Sequence, residues 1–451
     1  MHTLSQLRAG QLAGARELHL AEGLTEFPRE LFDLADTLEI LNLSGNRLAA
    51  LPDDLGRLRK LRILFCSDNL FTSVPAVLGQ CPALSMVGFK ANQIRTLPAA
   101  ALPPTLRWLI LTDNQLEAVP AEIGSCGQLQ KLMLAGNHLR ELPATLATCT
   151  HLELLRLSAN RLEALPDWLL TMPRLAWLAY AGNPFCDRLE AAAVARHPIN
   201  TINWPELALE EKLGEGASGV IYRARWQPQA APVAEVAVKL FKGSVTSDGL
   251  PHSEMAACIS AGPHPNLVGV TGKIGRHPAG TEGLVLALID PAFGNLAGPP
   301  SFATCTRDVY APDTTFGFDA ALRLALGIAA AAAHLHARGI LHGDLYAHNI
   351  LNTPAGECLL SDFGAAGFFD TADQEAAQAL QRLEVRAFGC LLEELLERSI
   401  VPPALASSAQ VLHTLQQRCT QAAVAERPLF AEIQQTLQGV YQAAEPLGVG
   451  L

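Results

Sequence analysis

The residues best suited to chemistry lie in the second half of this 451-residue chain. In HGDLYAHNIL, Asp344 and Asn349 share one short polar stretch, and Asp362 follows in LLSDFG. A carboxylate can orient or deprotonate an attacking hydroxyl, whereas an amide oxygen and a second carboxylate can hold the magnesium ion that bridges transferred phosphates. Upstream, LGEGASGVIY carries Gly214, Gly216 and Gly219, and Lys239 sits in the apolar run VAEVAVKLF. A bare ammonium in such a run is costly unless an anion meets it, and Glu254 in HSEMAACI is the candidate partner. The chemistry these types suggest is transfer of a phosphoryl group.

Each of these groups needs an element to place it. Val220, Ile221 and Tyr222 follow the glycines, so the spacing predicts a strand-turn-strand flap in which backbone N–H groups approach phosphates closely. Lys239 is expected on the next strand and Glu254 on a helix. The run AALRLALGIAAAAAHLHARG reads as a long Ala-rich helix leading into the polar loop of Asp344 and Asn349, after which two apolar strands end at Asp362.

The first half has a different logic. Leu38, Leu61, Leu84, Leu106, Leu129, Leu152 and Leu175 recur every 22 or 23 residues, and Asn46, Asn69, Asn92, Asn114, Asn137, Asn160 and Asn183 keep the same spacing. One unit reads LEILNLSGNRLAALPDDLGRLRK, which resembles the leucine-rich repeat. Alternating leucines give a short strand with one buried face, and each Asn amide is placed to satisfy backbone groups in the following turn. Prolines at 52, 75, 98, 120, 143 and 166 exclude a helical bundle. Cys81, Cys126 and Cys149 share one repeat position with Leu58 and Met172, so they read as small core residues. Residues 1–37 are expected to form an N-terminal cap and first atypical repeat, 38–185 the repeats, 186–205 a C-terminal cap and linker, and 206–451 a second domain.

That second domain resembles the eukaryotic-type protein kinases through five motifs in order. Gly214, Gly216 and Gly219 match the glycine-rich loop, Ala237-Val238-Lys239 the lysine strand, and Glu254 its ion-pair partner. Asp344 and Asn349 match the catalytic loop, and Asp362-Phe363-Gly364 match the DFG; ERPLF around Arg427 resembles the closing RPxF element. The resemblance implies a multidomain α/β plus α+β chain, a leucine-rich-repeat solenoid (horseshoe) followed by a bilobal kinase-like domain. It implies ATP and Mg²⁺ as cofactors, with Asp344, Lys239, Glu254 and Asn349 as catalytic residues and Asn349 and Asp362 as metal ligands. Leu213, Gly214, Glu215, Gly216, Ala217, Ser218, Gly219, Val220, Ile221, Ala237 and Lys239 would line the nucleotide, and Leu288 the hinge.

The departures matter as much. Gly343 stands where the family has an Arg that grips an activating phosphate, no APE is present, and Thr371 is the sole hydroxyl residue between Gly364 and Leu383. This implies a non-RD kinase with a short, unphosphorylated activation segment, and it leaves Arg427 without its usual acidic partner. Tyr346 replaces the Lys of serine/threonine kinases that neutralises the moving phosphoryl group. His348 stands where tyrosine kinases often have Arg, and His342 is expected to pack near the DFG. Three readings follow: a serine/threonine protein kinase, a non-catalytic kinase-like scaffold, and a small-molecule kinase of the aminoglycoside-phosphotransferase type, whose HGDxxxxN loop is also similar.

The formal charge of −11 is uneven, with 18 basic and 19 acidic residues in 1–205 against 15 and 25 in 206–451. Nucleic-acid binding is therefore not expected. The strand positions on the concave side of the repeats are apolar, so Ile63, Trp108, Ile110, Met133, Leu154 and Trp177 are expected to face a protein substrate or regulator, or else the second half of the chain. Without an uninterrupted apolar run of membrane length, a secretion-signal pattern or a CxxC pair, the expectation is a cytoplasmic chain without a membrane partner. Plant-type receptor kinases share the domain order, but residues 186–206 cannot span a bilayer. The Ala- and Leu-rich composition points to a bacterial source.

Overall fold

The computed structural model describes residues 2–216, 218–228, 232–243, 245–246 and 248–444, which form two compact units, Met1–Met172 and Pro173–Leu451. The first opens with a one-turn helix α1 (Leu4–Arg8), whose Thr3 and Gln6 make a reciprocal capping box. Each following coil contributes one three-residue strand: β1 (Glu17–His19), β2 (Ile40–Asn42), β3 (Ile63–Phe65), β4 (Met86–Gly88), β5 (Trp108–Ile110), β6 (Lys131–Met133) and β7 (Leu154–Arg156). They pair in parallel, so that Leu18, Leu41, Leu64, Val87, Leu109, Leu132 and Leu155 stand in one register and are buried.

The asparagines tie each turn to its neighbour. Asn137 donates Nδ2 to the carbonyls of Leu111 (2.8 Å) and Leu134 (3.0 Å) and accepts at Oδ1 from Leu116 N (2.9 Å). The return segments are short 3₁₀ turns capped by Pro75, Pro98, Pro120, Pro143 and Pro166, whose fixed φ suits the entry and whose missing N–H costs nothing there. Cys81, Cys126 and Cys149 are buried, and burial pushes their thiols up to about 11.

The second unit begins inside the last repeat. It contains β8 (Trp177–Ala179), helix α2 (Pro184–Arg196) and strand β9 (Thr201–Asn203) before the expected second domain starts. An N-terminal lobe follows: β10 (Leu207–Glu215), β11 (Gly219–Trp226), β12 (Ala234–Phe241), helix α3 (Pro251–Ala261), β13 (Val270–Gly275) and β14 (Gly283–Ala287). The sheet order is β10-β11-β12-β14-β13-β9, antiparallel except that β9 adds parallel to β13. Residues 186–205, read from sequence as a cap and linker, thus supply a helix against α3 and the edge strand of this sheet.

The C-terminal lobe is helical, built from α4 (Phe318–Ala337), α5 (Gln374–Glu397), α6 (Ala406–Thr420) and α7 (Phe430–Ala444). By length and composition α4 is apolar enough to cross a membrane. Its apolarity has a local cause, since Leu322, Leu324, Ala325, Ile328, Ala329, Ala332 and Leu335 are all buried within the lobe. Between α4 and α5 lie the short strands 340–341, 350–352, 358–360 and 367–368, which fix the polar loop.

Candidate active site

Lys239 lies mid-strand on β12, in register with Ile221 on β11 and Leu284 on β14. The strand buries it, and its Nζ forms an ion pair with Oε1 of Glu254 on α3. Burial opposes the ammonium, but the carboxylates of Glu254 and Asp362 outweigh it and hold Lys239 above its ordinary value. Burial lifts the Glu254 carboxyl, with Lys239 pulling in the opposite sense. A salt bridge this deep is held in place by geometry, and removing either member leaves an uncompensated charge.

Gly216 N donates to Gly219 O at 2.9 Å, closing the turn between β10 and β11. Ala217 lies outside the described residues. A β-carbon on Gly219 would stand 2.5 Å from the carbonyl oxygen of Leu240, so only glycine permits this approach to β12. Ser218 hydrogen-bonds Glu254, and Glu215 pairs with Lys212 and Lys242. Leu213 is exposed, Gly214, Val220 and Ile221 are half-buried, and Ala237 is buried between its register partners Arg223 and Leu286. Leu288 follows the end of β14.

Several contacts set the polar loop. Residues Ile340 and Leu341 pair antiparallel with Phe368 and Gly367. Gly343 N donates to Oε1 of the buried Glu384 on α5 at 2.7 Å, and the other oxygen of Glu384 meets His336 Nε2 at 2.7 Å. Asn349 donates Nδ2 to Asp344, at 2.9 Å to its carbonyl and 2.8 Å to Oδ2. With both amide hydrogens spent on Asp344, Oδ1 is the atom that Asn349 can offer a cation. The carbonyl of Asn349 accepts from Ser361 N and Oγ, which ties the loop to the residue before Asp362. Asp362 is exposed, with φ at +55°, and accepts Gly364 N at 3.1 Å. Phe363 is buried beside His342, ring centroids 5.2 Å apart, and His342 Nε2 meets Ser361 O at 3.0 Å, as expected of a packing histidine.

The structure therefore brings Lys239, Glu254, Asp344, Asn349 and Asp362 together. The ligands that Asn349 and Asp362 provide are oxygens alone, which suits a hard, magnesium-like cation. Among the described residues no group of three or more His, Cys, Asp and Glu is arranged to hold a metal.

At the departures the structure is equally specific. The Tyr346 ring is buried and stacks on the Trp177 ring, with centroids 4.1 Å apart and planes 6° from parallel. His348 Nδ1 meets Asp308 Oδ1 at 2.7 Å, and His348 N donates to Asp308 Oδ2 at 2.9 Å. Burial disfavours its charged form, yet Asp308, Asp344 and Asp362 together hold the imidazole above its ordinary value. Among the described residues Arg427 has no carboxylate partner; it donates to the carbonyls of Gln421, Arg382 and Pro173.

Three residues expected on a partner-binding face are closed. Trp177 is occupied by Tyr346, while Ile63 and Leu154 are buried, Ile63 flanked in register by Ile40 and Met86 and Leu154 by Lys131. Trp108, Ile110 and Met133 are half-buried. Lys131 Nζ stands 4.5 Å from the centroid of the Trp108 ring, and Trp108 Nε1 lies 3.4 Å from Met133 Sδ. Sequence reasoning missed Glu384 and Asp308. Neither lies in a motif singled out in the sequence.

Residues 207–388 match the family model described as protein tyrosine and serine/threonine kinase, and residues 37–58 and 104–162 match leucine-rich-repeat models. The chain joins leucine-rich repeats to a protein-kinase domain. On the repeat side it is 35% identical over 115 residues to the mouse leucine-rich repeat and calponin homology domain-containing protein 1, covering 25% of this chain and 16% of that one. On the kinase side it is 26% identical over 197 residues to the Xenopus laevis serine/threonine-protein kinase mos, covering 43% and 51%. It is also 29% identical over 168 residues to the Dictyostelium discoideum "Probable serine/threonine-protein kinase gdt4", covering 36% and 9%. The chain spans about half or less of these relatives' lengths, and all three are eukaryotic, so the compositional pointer to a bacterial source is not supported. The kinase-domain match ends at Phe388, within α5, and begins at β10, after the repeat-derived elements of the same compact unit.

Proposed function

We propose that the chain is an ATP- and Mg²⁺-dependent serine/threonine protein kinase of non-RD type with a short activation segment. The observation that carries this reading is the buried Lys239–Glu254 pair set beneath a glycine turn and within the field of Asp362, with Asp344 and Asn349 hydrogen-bonded to each other on the adjoining loop. Folding alone does not require these charges to be grouped.

In this reading Lys239 holds the nucleotide phosphates, fixed in direction by Glu254, and the N–H groups of the glycine turn close over them. Asn349 Oδ1 and the Asp362 carboxylate would hold Mg²⁺, which neutralises phosphate charge when bound. Asp344 orients the acceptor hydroxyl and takes its proton, and Asn349 Nδ2 keeps that carboxylate turned toward the site. His348, whose charged form Asp308 favours, is the basic side chain nearest in sequence to the position that Tyr346 occupies. The ATP-lining roles of Leu213 to Ile221 and Ala237, and the hinge role of Leu288, belong to the same proposal. So does a protein substrate or regulator at the half-buried Trp108, Ile110 and Met133, and so does residence in the cytoplasm, without membrane or nucleic-acid partners.

The burial of Tyr346 favours a second reading, a nucleotide-binding scaffold without turnover, because no lysine stands two residues after Asp344. Incubation of the full chain with γ-labelled ATP, Mg²⁺ and a protein acceptor mixture separates the two. Label recovered as phosphoserine or phosphothreonine supports the kinase. Mg²⁺-dependent ATP binding with no labelled protein supports the scaffold, and label only on small alcohols would move the chain to the small-molecule kinases.

A further inference from the structure

We propose that the last leucine-rich repeat is a working part of the catalytic unit, and that Trp177 is a positioning residue for the loop that carries Asp344. The inference rests on the phosphotransfer reading above and deepens it.

Trp177 reaches the loop in two ways. Its ring lies flat on Tyr346, and its indole Nε1 donates to the carbonyl of Leu345 at 3.0 Å. Leu345 and Tyr346 are the two residues that follow Asp344, and all three of Trp177, Leu345 and Tyr346 are buried. A carbonyl excluded from water needs a donor, and the indole supplies it from 168 residues away. An aromatic stack restrains the tilt of the loop, and the hydrogen bond restrains its slide along the ring.

The rest of the repeat repeats the theme. Tyr180 Oη donates to Phe368 O at 3.3 Å, and Phe368 pairs with Ile340 in the strand that enters the loop. The carbonyl of Leu178 approaches Gly343 so closely that no side chain fits there. Pro173 and Arg174 offer their carbonyls to Arg427 Nη2 at 2.7 Å and Arg386 Nε at 3.0 Å. Residues 173–180 thus touch the catalytic loop, the segment after Asp362 and the RPLF corner. These are the places where the sequence lacks an APE element, a loop arginine and an acidic partner for Arg427. The repeat fills with backbone carbonyls and two aromatic rings what a longer activation segment would have filled. The loop is therefore held in one arrangement without a phosphate.

A merely structural role for Trp177 would lower stability, ATP affinity and turnover together. A positioning role separates them, because misplacing a reacting group by about 1 Å can cost on the order of 100-fold in rate while substrate binding is kept. The test uses the full chain and two variants, Trp177→Phe, which keeps the stack and loses the N–H, and Trp177→Ala, which loses both. Expected for Trp177→Phe is a fall in kcat of about 10- to 100-fold with KM for ATP nearly unchanged and a thermal midpoint lower by only a few degrees, the cost of the unsatisfied Leu345 carbonyl. Trp177→Ala should fall further, and amide exchange at Leu345 to Asn349 should quicken in both. Unchanged kcat and unchanged exchange in Trp177→Phe would overturn the proposal, as would a loss of kcat matched by equal losses of ATP binding and thermal stability. A wild-type chain without turnover would sink the kinase reading instead, and the exchange measurement would still decide whether Trp177 fixes the loop.

Discussion

A β-carbon on Gly343 would stand 2.6 Å from the carbonyl oxygen of Leu178. It would also stand 2.5 Å from that of Ala365, and the backbone at Gly343 has φ at +73°. The glycine is thus imposed by the close approach of the last repeat, and an arginine has no room there. Gly343→Ala and Gly343→Arg are both expected to destabilise the second unit, through about 1–2 kcal/mol of left-handed backbone strain and contacts with two carbonyls that cannot give way. Denaturant midpoints measure this. An arginine variant as stable as wild type would show that the approach is not as tight as described.

The Lys239–Glu254 pair gives the second prediction. Lys239→Met should abolish the grip on phosphates and leave Glu254 buried without its counter-charge, a loss on the order of 3–5 kcal/mol before Glu254 takes up a proton. Glu254→Gln keeps the shape and removes the charge, so it should weaken turnover more than stability. Isothermal titration with Mg·ATP and thermal denaturation distinguish the two. Full-strength nucleotide binding by Lys239→Met would contradict the assignment.

Glu384 predicts a pH dependence. Burial alone would raise its pKa, but the hydrogen bond from His336, the nearby His342 and the Gly343 N–H outweigh burial and leave it depressed. A carboxylate depressed in the folded state contributes stability that is fully present above its unfolded value, near 4.3, and lost as pH falls through the folded value. Wild type should therefore lose stability below about pH 4.3 more steeply than Glu384→Gln, read as thermal midpoint against pH. Parallel curves would mean that the carboxylate charge does not hold the loop.

In the repeats, Asn137→Ala leaves Leu116 N without its acceptor and takes one of two donors from Leu111 O and Leu134 O, which keep Asn114 and Asn160. A buried group left without a partner costs about 1–3 kcal/mol, so a loss of that order is expected. An exposed change such as Glu117→Gln should leave stability within about 0.5 kcal/mol. Chemical denaturation of the full chain checks both, and a tolerated Asn137→Ala would refute the ladder.

Much of this was legible in the sequence because its signals are local. The Leu and Asn spacing gave the coils, since one period sets one strand, and the motifs gave Lys239, Glu254, Asp344, Asn349 and Asp362, since each motif holds its residue in a short run. What could not be read were contacts made across long separations. Trp177 occupies an ordinary repeat position, which leaves open a protein partner or the second half of the chain, and only the structure shows its ring on Tyr346. Arg427 meets backbone carbonyls, which have no sequence signature. Asp308 lies in a stretch without a motif and meets His348 from 40 residues away. The boundary of the second unit fell within the last repeat for the same reason.

In the proposed function Asp344 acts on an acceptor hydroxyl beside a nucleotide held by Lys239. The most direct measurement is the rate of phosphoryl transfer from Mg·ATP by the full chain and by Asp344→Asn, with ATP affinity measured on both. The rate should fall by about 10²- to 10⁴-fold while the affinity stays within a few-fold. Equal transfer by the two proteins would contradict it.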